Sequence, residues 1–288
     1  MIFTFPLLWV FPSLNELLIL NKLKMIKIYA NIKNPMKLIS VVVLYLLPIQ
    51  LIGQLRGTYD LENELKPPLT KDHLNTSIIY SNSGDYLIIC THKHGDGYAE
   101  NLLSFGQYEL KSKYIILREA VNKFHMFMEY KDSILIVKNG MHFMKGRKFN
   151  HLSEDTYHYL NDLEDLKKQN LCKYYEDRKE KYLKSHQVDY LIHTGSYLFK
   201  TNSGIPLRER LKYDYHLKIK ENRNYIYYLG NMVISKGDWK QQGALVIFQD
   251  KMLNYEFNML VKNDSTLIHN GAPGLYTNKY TVMFQIEN

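Results

Sequence analysis

Apolar and polar side chains alternate with a period of two in several stretches. Tyr255, Phe257, Met259 and Val261 alternate with Asn254, Glu256, Asn258 and Leu260, and Phe124, Met126, Met128 and Tyr130 hold the same phase earlier in the chain. Tyr213, Tyr215, Leu217 and Ile219 alternate with Asp214, His216, Lys218 and Lys220. A sustained period of two buries one face of each segment and predicts antiparallel sheet. Asn139-Gly140 and Asn270-Gly271 are turn dipeptides whose residues tolerate positive φ, so each is expected to end a strand at a tight reversal.

These stretches belong to an internal repeat. At one constant spacing, Tyr108 falls on Trp239, Ile116 on Ile247, Leu117 on Phe248, Glu119 on Asp250, Phe124 on Tyr255, Met126 on Phe257, Met128 on Met259 and Lys131 on Lys262. Asn139-Gly140 falls on Asn270-Gly271, and Lys148-Phe149 on Lys279-Tyr280. Upstream, Gly57-Thr58-Tyr59 corresponds to Gly195-Ser196-Tyr197 at a slightly larger spacing, which one loop insertion explains. A duplication of this size predicts two homologous halves rather than a solenoid, which needs shorter and more numerous repeats.

The segment between the repeats has the period and charge of a helix. Ser153 before Glu154 and Asp155 reads as an N-cap with an acidic first turn, and Arg178, Lys179, Lys181 and Lys184 form a basic last turn. Glu164 with Lys168 and Asp177 with Lys181 are i,i+4 pairs of favourable sign. Leu160, Leu163, Leu171, Tyr174 and Tyr182 make a narrow apolar stripe, with a break expected near Asn170. The fold class is therefore mainly β: two repeated antiparallel β-meander or small-barrel units, joined by a charged α-helix and preceded by an apolar signal segment. The expected divisions are 1–53 as a targeting segment or mis-assigned start, 54–150 as the first unit, 151–190 as the helical linker and 191–288 as the second unit.

The targeting segment rests on Met36-Lys37, the apolar run 38–47, Pro48 and the small residue Gly53. That order of charged, apolar and cleavage regions predicts an export signal, with Met36 or Met25 as the true start and the mature protein following Gly53. Leu51-Ile52-Gly53 resembles the start of a bacterial lipoprotein box, but Gln54 stands where the lipid-bearing cysteine would be. A second reading keeps the segment as a membrane tether, although 38–53 is shorter than the ~20 residues a span needs. Membrane contact is expected only through this segment.

Composition adds little to fold but excludes partners. Of the formal charge of +8, residues 1–53 supply about half, with five lysines against Glu16 alone, so the repeats lack the basic footprint of a nucleic-acid binder. Twenty-four tyrosines suit half-buried sheet faces. Cys90 and Cys172 leave room for one disulfide and exclude a four-cysteine zinc site. Asn75-Thr76-Ser77 and Asn263-Asp264-Ser265 fit the N-glycosylation pattern.

The Gly-x-aromatic openings at Gly57 and Gly195, with the glycines at Gly106 and Gly237 beginning a later strand motif, resemble the lipocalin-like β units of exported bacterial proteins. That resemblance implies a meander or small barrel and ligand binding, with Tyr59 and Tyr197 where the lipocalin opening has tryptophan; it carries over no active site.

Three features carry candidate chemistry. His92-Lys93-His94-Gly95-Asp96-Gly97 resembles the His-x-His-x-Asp-His loop of metallo-β-lactamase-type hydrolases, with Gly97 replacing the last histidine. A catalytic zinc needs three protein ligands, so His92, His94 and Asp96 are weak candidates and a flexible hairpin loop is the simpler reading. Residues 138–148 gather Lys138, His142, Lys145, Arg147 and Lys148 around Met141, Phe143 and Met144; a cationic patch for an acidic surface or glycan is one reading, and a solvated hairpin with ordinary strand alternation is the simpler one. His73, His125, His193 and His216 stand singly. No nucleophile elbow, phosphate loop or dinucleotide fingerprint occurs, and no cofactor is expected. The sequence thus points to an exported, non-enzymatic binding or interaction module for a small apolar ligand or an envelope or extracellular macromolecule. The alternatives are a metal-dependent hydrolase using the His92, His94 and Asp96 loop, and a membrane-tethered envelope protein.

Overall fold

A computed structural model of the chain describes residues 55, 57–62, 74–94, 97–153, 157–201, 215–277 and 281–286. The expected signal segment lies outside them, as do Tyr213, Asp214 and Asp96. The first eight strands are β1 (Gly57–Leu61), β2 (Leu74–Tyr80), β3 (Asp85–His94), β4 (Gly97–Lys111), β5 (Tyr114–Glu119), β6 (His125–Lys131), β7 (Ile134–Asn139) and β8 (Lys148–Ser153). Each pairs antiparallel with the next, and β1 pairs with β8 to close a barrel. The second eight are β9 (Gly195–Thr201), β10 (Tyr215–Ile219), β11 (Asn224–Leu229), β12 (Met232–Gln242), β13 (Leu245–Asp250), β14 (Glu256–Asn263), β15 (Thr266–Asn270) and β16 (Val282–Ile286). They close a second barrel through β9 and β16. The repeats are thus two eight-stranded antiparallel barrels, and closure removes the sheet edges that would otherwise invite aggregation.

The expected phase holds in both. Phe124, Met126 and Met128, and Tyr255, Phe257, Met259 and Val261, are all buried, whereas Phe127 and Glu256 face out. Repeat-equivalent residues also make equivalent bonds. The Tyr108 N–H donates to the Gly84 carbonyl and the Trp239 N–H to the Arg223 carbonyl, both at 2.8 Å. The Tyr108 hydroxyl donates to the Ser81 carbonyl at 3.1 Å, and the Trp239 indole N–H to the Lys220 carbonyl at 3.0 Å.

Gly106 and Gly237 are the clearest shared requirement. A Cβ at Gly106 would run into the Arg118 carbonyl oxygen on the paired strand, and one at Gly237 would meet the Gln249 carbonyl oxygen in the same way. Backbone approach this close excludes every other residue, which accounts for glycine in both copies. Gly237→Ala is expected to cost at least about 2 kcal/mol, since the clash is with backbone rather than a side chain that can swing away. Urea denaturation followed by circular dichroism measures it, and an unchanged midpoint would contradict the β12–β13 register.

Helices α1 (Tyr157–Lys168) and α2 (Leu171–Ser185) join the barrels. The expected break falls at Asn170, whose φ of 43° and ψ of 53° are left-handed, a conformation asparagine tolerates. Leu163, Leu171 and Tyr175 pack on Ile79, Leu87, Ile89 and Phe105, the outward side chains of β2, β3 and β4. The inward neighbours Ile78, Tyr80, Tyr86, Ile88 and Cys90 are buried too, so β3 is covered on both faces and the run 86–90 is unbroken by polar residues. The kink turns the stripe, so Tyr175 rather than Tyr174 is the buried tyrosine of α2. Ser153, expected as N-cap, instead ends β8, where it pairs with Thr58 in closing the barrel. The ion pairs on the helices include Lys168 to Asp165, Lys173 to Asp177 and Lys179 to Glu176. No helix among the described residues is long and apolar enough to cross a membrane.

Asn139 and Asn270 end strands as expected, but neither reversal is tight, because β8 begins only at Lys148 and β16 at Val282. The intervening residues bind the barrels together. The Phe143 N–H donates to the Val233 carbonyl at 3.1 Å, and from the equivalent segment of the second barrel the Tyr276 hydroxyl donates to the Leu103 carbonyl at 3.3 Å. The rings of Phe124 and Tyr255, one from each barrel, also meet, with centroids 4.6 Å apart. These two are repeat equivalents, so their contact marks a local two-fold relation between the barrels, the geometry of an isologous dimer held within one chain.

Candidate functional site

The barrel interior is the first place to seek a ligand, and an eight-stranded barrel is just wide enough either to hold one or to fill itself. Here the second barrel is occupied by its own rings. Tyr197, Tyr215, Tyr225, Tyr227, Phe248, Phe257 and Phe284 are all essentially inaccessible. Phe248 stacks on Phe257 at 5.0 Å, Tyr225 meets Phe248 edge-on at 4.9 Å, and Tyr215 stacks on Tyr227 at 5.6 Å. In the first barrel Tyr59, Tyr80, Met126, Met128 and Phe149 fill the same role, with the Tyr80 hydroxyl on the Met128 sulfur at 3.5 Å.

The histidine loop falls at the β3–β4 reversal. His92 and His94 belong to β3, opposite Ala99 and Gly97. Asp96 lies outside the described residues, and so do the side chains at 92 and 94. Among the described residues no cluster of histidine, cysteine, aspartate and glutamate has the geometry to hold a metal ion. Cys90 and Cys172 are free thiols, and burial pushes the Cys90 thiol up to about 12, so it is inert at ordinary pH.

Residues 138–148 do not form the solvated hairpin expected of them: the chain from Gly140 to Arg147 is a turn segment, partly buried. Lys138 is paired with Glu129 at 2.7 Å, Met141 and Met144 are buried, and His142 leans onto Asp250 of the second barrel, its Nε2 at 3.3 Å from Oδ2. Apolar residues at 141 and 144 dock this segment, while Lys145 and Lys148 stay exposed.

Asp250 is the centre of a buried polar chain. The Ser235 hydroxyl donates to its Oδ2 at 2.6 Å, which leaves Tyr225 as donor to Ser235 at 2.6 Å. The N–H groups of Met252 and Leu253 donate to Oδ1, each at 2.8 Å. Burial pushes the carboxyl up, but His142, the Leu253 N–H and Ser235 more than offset it and hold the acid below its usual range. Serine, aspartate and histidine are together, yet the aspartate stands between the other two. A nucleophile must bond to its base, so this order supports no acyl transfer.

Glu119 is the counterpart in the first barrel and behaves differently. Its Oε2 accepts the Asn122 N–H in a short bond and the Lys123 N–H at 3.1 Å, and the Tyr276 side chain reaches the buried carboxyl. Burial dominates even so, and the carboxyl is pushed up to about 7. Tyr276 approaches it from the second barrel, its ring edge-on to Phe105 at 5.2 Å.

Beside Glu119, on the outside of the barrel, opens a cleft of about 400 Å³. Phe105 and Ala120 give it an apolar floor, and Arg118, Lys123, His125 and Lys167 supply a basic rim from β5, the following turn, β6 and α1. Arg118 is paired with Glu109 at 2.8 Å and Lys167 with Asp85 at 2.6 Å. Lys123 rests its ammonium on the Ala120 carbonyl and has no carboxylate partner among the described residues. Sequence reading missed this cleft because its cations come from separate elements.

A second buried cluster is structural. The Tyr175 hydroxyl accepts the Thr277 N–H and donates to the Leu275 carbonyl, both at 3.0 Å. The His269 ring lies with Nε2 at 3.4 Å from the Gly271 nitrogen and Nδ1 at 3.3 Å from the Ala272 nitrogen, of which a neutral imidazole accepts one N–H. Burial, reinforced by the Arg178 charge, pushes the His269 imidazole down to about 3, so it is neutral and fixes the segment after β15. Compared with protein-family models, curated proteins and solved structures, the chain matches none.

Proposed function

We propose that the chain is an exported, non-enzymatic binding module that recognises an envelope or extracellular macromolecule from the outside of a lipocalin-like double barrel. The observation that carries this reading is the filling of each barrel by its own tyrosine, phenylalanine and methionine side chains. A rigid, filled barrel presents surface rather than a calyx. The order of charged, apolar and small residues in 1–53 supports export, and the serine, aspartate and histidine connectivity gives no support to hydrolysis.

The test uses protein recovered from the exported fraction, with its mass expected to place the amino terminus at Gln54. Titration with palmitate and with an anilinonaphthalene dye is expected to show no saturable site. One palmitate bound per barrel, with altered tyrosine and Trp239 fluorescence, would overturn the outside reading in favour of a calyx.

A further inference from the structure

The cleft beside Glu119 joins an apolar floor, a basic rim and a buried carboxyl. Its volume of about 400 Å³ is near the lower end of small-molecule sites. Phe105 is 3% exposed, yet it lines the opening together with Ala120. Basic side chains approach from four elements and Lys123 has no carboxylate partner among the described residues, so the site favours an anion over an amine.

The second barrel provides an internal comparison. It keeps the frame, with Gly237 for Gly106 and Asp250 for Glu119, but Lys236 replaces Phe105, Gln249 replaces Arg118, Asn254 replaces Lys123 and Glu256 replaces His125. Floor and rim are therefore particular to the first barrel and are not demanded by the fold. Lys123 and Asn254 share positive φ, 61° and 51°. Asparagine is suited to that conformation and lysine is not, so lysine at 123 carries a backbone cost that its ammonium at the cleft explains.

We propose that this cleft binds an organic carboxylate with an apolar body, whether a free small acid or the C-terminal carboxylate of a partner peptide. The carboxylate meets Lys123 with Arg118, His125 and Lys167 around it, and the apolar body lies on Phe105 and Ala120. Inorganic phosphate would use the rim and leave the floor exposed. Glu119, neutral in mildly acid solution, can stand beside the ligand without repelling it. The proposal rests on the reading that recognition occurs outside the barrels.

Calorimetry at pH 6 with the mature chain tests it, using 3-phenylpropionate, 3-phenylpropanol and one short peptide ending in phenylalanine, with its C-terminus either free or amidated. Saturable binding is expected for the acid or the free-ended peptide and not for the alcohol or the amide. Tighter binding of phenylpropionate identifies a small acid as the ligand, and tighter binding of the free-ended peptide identifies a chain terminus. Lys123→Asn is expected to weaken binding at least tenfold while leaving the melting temperature equal or higher, and Lys131→Asn is expected to change neither. No binding by either carboxylate, equal binding of free and amidated peptide, or full binding by Lys123→Asn would overturn the cleft assignment. Palmitate bound inside a barrel would instead overturn the broader reading, so the two failures are distinguishable.

Discussion

Met128→Asp and Met259→Asp are each expected to destabilise the protein by at least about 4 kcal/mol, enough to unfold a domain of ordinary stability. Both methionines are fully buried, in β6 and β14. Met128 stands opposite Ile115 and Val137, and Met259 opposite Val246 and His269. A carboxylate at either point loses its water; at 128 it gains no cation, and at 259 it faces an imidazole that burial holds neutral. It must remain charged without a partner or take up a proton, and both are costly. Phe127→Asp supplies the phase control, because Phe127 is 39% exposed on the opposite face of the same strand, and its cost is expected to stay below about 1 kcal/mol. Thermal melts of the three variants decide the matter. A parent-like melting temperature for both methionine variants would mean that the inward and outward faces are exchanged.

The repeat and its phase were legible because they are local: alternation with a period of two needs no knowledge of what lies across the sheet. The helix break at Asn170 was legible for the same reason, since asparagine is one of few residues at ease in the left-handed region. Barrel closure was not, because the pairings of β1 with β8 and β9 with β16 join the ends of each unit. Ser153 shows the consequence, for its sequence context is that of an N-cap while ladder pairing with Thr58 claims it for β8. The 138–148 segment reads as a solvated hairpin because docking is not visible in sequence: Met141 and Met144 are buried, and Phe143 and His142 reach Val233 and Asp250 of the second barrel. The cleft was invisible as a cluster, but one signal was present. Aligning the repeats sets Arg118, Lys123 and His125 against Gln249, Asn254 and Glu256, and three changes in one small region mark a place where the copies diverged in chemistry while keeping Gly106 and Gly237.

The dependence of stability on pH is expected to be governed by two buried groups of opposite sign, Glu119 and His269. The Glu119 carboxyl sits at about 7 in the folded chain against 4.5 when exposed, chiefly through burial. Its contribution is therefore fully present below pH 4.5 and is lost as the pH rises toward 7, an effect of about 3 kcal/mol at 1.36 kcal/mol for each pH unit. His269 sits at about 3 against 6.5, again chiefly through burial. Its contribution is fully present above pH 6.5 and is lost as the pH falls toward 3, an effect of about 5 kcal/mol on the same scale. Between pH 4.5 and 6.5 the two slopes are equal and opposite, so these groups leave the parent profile flat there and let it fall below pH 4.5. Glu119→Gln removes one side of the balance. The variant is expected to gain stability over the parent as pH rises, by about 1 to 3 kcal/mol at pH 7.5, and to match it near pH 4.5, where Glu119 is already neutral. His269→Gln disturbs the ring's contacts with the Gly271 and Ala272 N–H groups and starts lower at pH 7, but its stability relative to the parent is expected to rise as the solution is acidified. Urea denaturation at half-unit steps from pH 4 to 8 reads both differences, and comparison with the parent cancels every other titrating group. Profiles for both variants that run parallel to the parent across that range would show that neither burial shifts the proton as proposed.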